Sequence, residues 1–509
     1  MNGPSFTPSP QVSQEQLKKS LRLVIYDGLT TEVMTTFTGS TFLVAMGVLY
    51  GASNFQIGIL ASLPTFTNVF QLMSIWLVRR YSSRRLVSVV CTILARIPLL
   101  CVGAMIFFFS SSFTGILFFL FFFYLFGSVA GPTWNSWMKD LIPENTLGSF
   151  FAKRSRYTQT LNVVLSLGLA LLVDYIKDRH PKHELTIYAA FFVVAGIAGL
   201  LGALFLGRTY EPRSLLTNEN IFRMLRKPLV NANFRRLLMF NSVWLFALNF
   251  ATPFFTVFLL RSMEIQLSYI ILLTAISQVA GIFALRVWGR YADRYSNKTI
   301  IAICAPLYIA CLVSWCFVGI YSSFYNNLIL LVCIFIITGI STSGINLSLT
   351  NIGLKLAPAA ESIVYLSAKN IVTSLFSASA PLAGGIVADY FTARSLDVRA
   401  TWSGPDLVKT FRLVELHDFN FLFAIAALLA IFSLELLARI REEGEVDKDQ
   451  VVRVMRSNIK NNIKDAFVIG QLIDWNQHFW NIFRRRNRLN DAGQATAAKP
   501  GKPADDQRN

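Results

Sequence analysis

The chain has 509 residues, of which 54% are hydrophobic and 15% charged, with a mean hydropathy of +0.49. Soluble domains carry about 25% charged residues, so the composition excludes an ordinary soluble enzyme. It points to a helical protein of the bilayer. The apolar runs are continuous rather than alternating, which excludes a β-barrel.

In chain order, residues 1–26 read as a polar, loose cytoplasmic segment with no signal-peptide pattern, so the first span stays as an anchor. A first six-span half follows over residues 27–207. Its spans are expected at about Asp27–Gly51, Gln56–Val78, Leu86–Phe108, Phe113–Met138, Tyr157–Val173 and Tyr188–Leu206. Residues 208–236 form a basic connector on the cytoplasmic face. A second half over residues 237–440 has spans at about Leu237–Leu260, Ser268–Trp288, Thr299–Tyr321, Asn327–Gly353, Ser362–Ala388 and Phe419–Ile440. The longest outer loop is Asp389–Asp418. The tail, 441–509, is basic: Val452, Met455, Ile459, Ile463 and Phe467 lie at helical spacing, and the end is expected to be disordered. That pattern suits a helix on an anionic leaflet or one packed on the protein.

Charge is sorted by side. Of the 47 Lys and Arg, 37 fall on segments that this alternation places in the cytoplasm, with both termini there too. The net charge of +18 therefore signals membrane orientation, not nucleic acid. The six cysteines lie in apolar runs as packed thiols, and the four histidines lie in loops or tail. No metal-ligand spacing, phosphate loop or hydrolase elbow appears, so no cofactor and no enzyme activity is expected.

The two halves repeat. Arg80-Tyr81-Ser82 lies 214 residues before Arg294-Tyr295-Ser296, and Asp174-Tyr175 lies 215 before Asp389-Tyr390. Pro143 and Arg154 are spaced like Pro358 and Lys369. Parallel repeats place a shared site between the halves.

The stretch Gly289-Arg290-Tyr291-Ala292-Asp293-Arg294-Tyr295-Ser296-Asn297-Lys298 resembles the loop motif of the major facilitator superfamily, which recurs between helices 2 and 3 and helices 8 and 9. Gly289, Asp293, Arg294 and Lys298 match it, and Gly289 is read as permitting close helix approach. The first copy retains Arg80 and Arg84, while Ile75 replaces the Gly and Arg79 the Asp. Gly131 to Pro143 resembles a segment of bacterial members, and Asp140 matches the acid that joins the family's loop charge network. The resemblance implies an all-α membrane fold of twelve helices in two six-helix halves. It also implies alternating access, driven by a proton or, alternatively, Na⁺.

Polar groups deep in a bilayer are costly, so those present are the default site candidates. Arg96 sits mid-span and needs a cavity, an acid or a bound anion; Glu32 is the candidate coupling acid. Lys369 and Asn370 lie in span 11, Trp134 and Asn135 in span 4, Asn249 in span 7 and Asn346 in span 10. Trp134 reads equally as an interfacial anchor. The glycines of spans 4, 10 and 11 read as packing residues. Arg96 and Lys369 favour an anionic or zwitterionic solute. The expected protein is a monomeric inner-membrane secondary transporter, symporter or antiporter. A transport-incompetent receptor or assembly factor, or a lipid flippase, is the alternative on the same scaffold.

Overall fold

The computed structural model describes residues 13–108, 112–212, 227–294, 296–319, 324–358, 362–403 and 408–442. Among these, twelve helices are long and apolar enough to cross a membrane. They are α1 Gln14–Leu49, α2 Asn54–Tyr81, α3 Arg84–Phe108, α4 Phe113–Leu141, α5 Glu144–Arg179 and α6 Glu184–Gly207 in the first half. The second half has α7 Ala232–Arg261, α8 Leu267–Arg294, α9 Asn297–Trp315, α10 Phe324–Leu356, α11 Ser362–Phe391 and α12 Phe419–Ala438. An antiparallel hairpin, β1 Ser395–Ser403 and β2 Val408–His417, lies between α11 and α12, with a register shift at Val398/Arg399. It occupies the long loop expected at Asp389–Asp418.

Helices start where local chemistry satisfies their free N–H groups. Ser13 and Gln16 form a capping box for α1, and Ser53 and Gln56 form one for α2. The first box starts α1 at Gln14, well before the Asp27 expected from hydropathy. The early turns are amphipathic: Leu17, Leu21, Val24 and Ile25 pack on Trp137, Met138 and Leu206. Likewise α5 begins at Glu144 rather than Tyr157, its first turns too polar to register as apolar. Two spans are irregular. The two segments of α1 meet at Thr38–Gly39. In α2 a 3₁₀ turn at Asn68–Phe70 follows Pro64, whose ring disrupts the helical ladder.

Each half is a six-helix bundle. In the first, α6 packs on α3 and α1; in the second, α12 packs on α9 and α7. Across the halves α2 packs on α11, α5 on α8, and α1 on α7. The aromatic core is densest in the second half, where Phe255 stacks on Trp315 at 4.3 Å.

Among the described residues, every hydrogen bond between the halves lies at one end. There Asp389, closing α11, accepts from the Asn54 and Phe55 N–H groups at 3.0 Å each, capping α2. Asp174, near the end of α5, accepts from the Leu267 and Ser268 N–H groups at 3.0 and 2.8 Å, capping α8. The Asp174/Asp389 repeat thus forms reciprocal latches, each half capping a helix of the other. Arg261 adds bonds to the Asn54 side chain at 3.3 Å and to the Ala52 carbonyl at 2.6 Å. The seam is tight. A Cβ at Gly58 would overlap the Pro381 carbonyl, and one at Gly385 would crowd the Asn54 backbone.

Removing both latches should open this end. Spin labels at Phe107→Cys and Tyr325→Cys, both exposed there, are expected to move apart when Asp174→Asn and Asp389→Asn are combined, by pulsed electron resonance. An unchanged distance distribution would show that apolar packing alone closes the seam.

Candidate functional site

The opposite, basic end is organised within each half. Glu211, just beyond α6, accepts from Ser83 Oγ at 2.7 Å and from the Arg84 and Arg85 N–H groups at 2.7 and 3.2 Å. Arg84 also pairs with Asp140 at 2.6 Å and donates to the Ser136 and Pro212 carbonyls. In the second half Glu442, just beyond α12, accepts from Ser296 Oγ at 2.7 Å and the Lys298 N–H at 2.8 Å. Lys298 Nζ donates to the Ile440 carbonyl at 2.7 Å, and Lys355 pairs with Glu442 at 3.1 Å. These glutamates cap α3 and α9, exploiting the free N–H groups and positive dipole of a helix start. Arg80 is exposed. Gly289 meets nothing within 4 Å, so it does not serve close helix approach here. The side chains of Asp293 and Arg294 lie outside the described residues, as do the tail beyond Glu442 and the connector from 213 to 226.

Three cavities follow the first half toward the seam. A chamber of about 240 Å³ is lined by Asp27 and Thr31 of α1, Arg96 of α3, Trp134 and Asn135 of α4, and Arg154 of α5. A cavity of about 400 Å³ between the halves is lined mainly by apolar and hydroxyl side chains, including Tyr124, Thr252, Tyr308 and Gln278. A third, of about 220 Å³, shares Ser40, Thr41, Thr274 and Gln278 with it. The α1 break, at Thr38–Gly39, opens beside these two.

Polar residues connect chamber and cavities. Asp27, Thr31 and Thr35 recur every four residues along one face of α1. Arg154, Thr158, Asn162 and Ser166 do the same along α5. Asn162 donates to Thr36 Oγ1, beside that stripe, at 3.0 Å, tying α5 to α1. Glu32 is half-buried on this stretch, within electrostatic reach of Arg154 and Asn162.

The candidate residues separate into two groups. Arg96, Trp134 and Asn135 meet in the chamber, with Glu32 on the track leading from it. Asn249 instead bonds the Leu245 carbonyl and Ser377, and Lys369 is buried against the Leu349 carbonyl at 3.1 Å. Asn346 and Asn370 are exposed. None of these four lines the three cavities. Sequence reasoning missed Asp27 and Arg154, which face each other at 4.0 Å. The repeat did flag Arg154 as the partner of Lys369, but hydropathy left it at a span boundary. The span 4 glycines Gly127 and Gly131 line the chamber and meet nothing within 4 Å, so they leave space rather than pack helices. Gly339, Gly344, Gly384 and Gly385, in contrast, sit against neighbouring helices.

Two like-folded helical halves, latched at one end and enclosing cavities, define a membrane transporter of the two-bundle class. The sequence model of the Major Facilitator Superfamily matches residues 29–381, and the chain belongs to that family. No curated protein matches it in sequence. Among solved structures it is similar to a mutant of the nucleoside transporter NupG, at 13% identity and a TM-score of 0.61, covering 84% of this chain and 100% of that one. It is also similar to an inward-facing, unoccupied bacterial homolog of the human lysosomal transporter Spinster, at 17% identity and a TM-score of 0.56, covering 74% and 84% of the two chains. A POT family transporter in complex with a thioalcohol-conjugated peptide aligns at 11% identity and a TM-score of 0.58, covering 86% and 99%. At these identities the likeness shows the fold alone.

Glu442 offers a pH test of the basic-end caps. Burial alone would raise its carboxyl, but hydrogen bonds from Asn297, the Lys298 backbone, Ser296 and Lys355 outweigh this and hold it below its ordinary 4.5. A depressed folded pKa contributes stability that is complete above 4.5 and is lost as pH falls through the folded value. Glu442→Gln should destabilise the purified protein by about 2 kcal/mol at pH 7. The melting-temperature gap to the native sequence should narrow below pH 4.5; a gap independent of pH would refute the assignment.

Proposed function

We propose that the protein is a secondary active transporter. It moves a small anionic or zwitterionic solute across the cytoplasmic membrane by alternating access, with proton coupling and Na⁺ as the alternative ion. The observation that carries this reading is the distribution of bonds between the halves. They are joined across the seam at the Asp174/Asp389 end, whereas the glutamate caps of the basic end bind each half to itself. Such an arrangement favours two rigid bundles rocking about a common cavity. The excess of Lys and Arg supports a cytoplasmic basic end with both termini there, which puts the Asp174/Asp389 seam on the outer side.

In this reading the solute passes through the cavities between the halves, and the charged chamber supplies the coupling chemistry. Glu32 and Asp27 are the acids on that path, and Arg96, Trp134 and Asn135 contact the solute. Asn249, Asn346, Lys369 and Asn370 lie off the three cavities and are assigned no role on this path. The Arg84–Asp140 pair and the Lys298 contacts hold the basic end of each bundle. Gly289, Asp293 and Arg294 belong to the motif loop that rearranges when that end closes. The protein works as a monomer, its basic tail resting on anionic lipid.

Counterflow of a solute panel in proteoliposomes tests this. Exchange of at least one solute is expected, with accumulation driven by an inward proton gradient. Glu32→Gln should retain exchange while losing gradient-driven accumulation. No exchange of any solute, with partner binding lost on deleting 441–509, would instead establish a receptor. Translocation of labelled lipid alone would establish a flippase.

A further inference from the structure

The chamber beside α1 holds an unusual set of groups. Arg96 is only 9% exposed and Asp27 only 4%. No hydrogen bond from the Arg96 guanidinium to a described residue is present, and its Nε is buried without an acceptor. Arg154 Nε and Trp134 Nε1 are in the same condition. Three buried N–H donors thus surround one cavity, two of them on cations. Buried donors are almost always paired, and a group that is not calls for a missing acceptor. Asp27 supplies little: its carboxylate lies 4.0 Å from Arg154, takes a long 3.5 Å bond from Thr31, and forms no ion pair with Arg96 within 4.0 Å. Among the residues lining the chamber, Arg96 and Arg154 stand against Asp27 alone. Glu32, on the next turns of α1, reaches Arg154 but not Arg96, so Arg96 is the cation left without a close acid.

Charge and shape both constrain the occupant. A negative group set against Arg96 supplies the acceptor that its guanidinium lacks. Guanidinium donors match the paired oxygens of a carboxylate or phosphate. Trp134, with Arg154 lying 5.1 Å over its ring, gives a flat aromatic wall, and Phe123 faces Arg96 at 5.8 Å. Gly127 and Gly131 leave open space beside α4, room for a slender or planar carbon skeleton.

We infer that this chamber is a subsite for the oxyanion group of a free, singly charged solute, a carboxylate or a phosphate monoanion, and that Asp27 is its built-in competitor. When the site is empty Asp27 faces the arginines; an arriving oxyanion takes its place and frees the carboxylate. The inference rests on the transport reading only for the identity of this anion as cargo. Anion binding itself stands on the geometry.

The test is equilibrium binding to the full-length protein in detergent, read as tryptophan fluorescence relative to Trp134→Phe. The probes are acetate, benzoate and inorganic phosphate, with acetamide and benzamide as neutral counterparts. At least one anion is expected to bind about tenfold or more tightly than the neutral probes. Arg96→Gln and Arg154→Gln should each weaken it about tenfold. Asp27→Asn should tighten it severalfold, which loss of a merely structural carboxylate would not do. Melting curves of each variant, with Arg96→Lys as a charge-retaining control, separate lost binding from lost fold. Equal binding of charged and neutral probes, no binding of any anion, or weaker binding in Asp27→Asn overturns the inference. Retention of phosphatidylglycerol by the native chain but not by Arg96→Gln in native mass spectrometry, with no free anion bound, would assign the site to a lipid headgroup and overturn the free-solute assignment. Anion binding without counterflow would sink the transport reading alone. Counterflow of neutral solutes without anion binding would sink this inference alone.

Discussion

The structure depends on how it satisfies helix starts where water is scarce. The first N–H groups of a helix have no partner within it, and in or near hydrocarbon each needs an acceptor from elsewhere. Four side-chain carboxylates meet that need at α2, α3, α8 and α9: Asp389, Glu211, Asp174 and Glu442. Each places negative charge on the positive end of a helix dipole. The arrangement is two-fold in pattern but splits by location. Glu211 and Glu442 cap helices of their own halves, so each half is a closed body at the basic end. Asp174 and Asp389 cap helices of the opposite half, so the other end is held by bonds that link two bodies. The same chemical device therefore ties each half to itself at one end and the two halves to each other at the opposite end.

The symmetry of the scaffold does not extend to its chemistry. Asn241 stands 214 residues beyond Asp27, Ala310 stands 214 beyond Arg96, and Lys369 stands 215 beyond Arg154. At these matched positions the second half keeps one buried cation, Lys369, satisfied by the Leu349 carbonyl, and none of the facing charge. Its core is instead filled with aromatics around Trp315, Phe255 stacked on it and Phe335 and Phe423 packed edge-on or tilted. A duplicated fold of this kind specialises by substitution at matched positions: one bundle carries the charged chamber, and the other offers an uncharged wall of apolar, hydroxyl and amide side chains to the shared cavity.

Most of the fold was legible because spanning helices are long and apolar, a signal that hydropathy reads directly. The repeat was legible too, and two of its landmarks, Asp174 and Asp389, turned out to be the latches. What hydropathy misread were the polar ends. Residues 14–26 are helical through a capping box and an amphipathic face, and Glu144 to Arg156 continue α5 although they are too polar to count as membrane sequence. Those errors placed both Asp27 and Arg154 at span boundaries. Both are in fact several turns inside helices, facing the chamber. Glu211 and Glu442 were invisible for a different reason. Each acts on a helix more than a hundred residues away in sequence, and no local spacing marks such a pairing. The hairpin was missed because its strands lie in a loop judged by length alone.

The chamber explains why a bilayer protein would keep charges it could shed. A buried guanidinium is expensive in a low-dielectric bundle, and removing one partner from such a group usually costs more than deleting both. A scaffold selected for stability alone would replace Arg96 with an apolar residue, as the second half does at Ala310. Retaining Arg96 while leaving its Nε without an acceptor makes sense if the missing acceptor comes and goes. Asp27 fits the same logic. A carboxylate held at the 4.0 Å limit of an ion pair tempers the positive charge of the empty site, yet is not bound so firmly that an incoming anion cannot displace it. The imperfect pairing that weakens this cluster as a structural element is the property that would let it exchange one negative group for another.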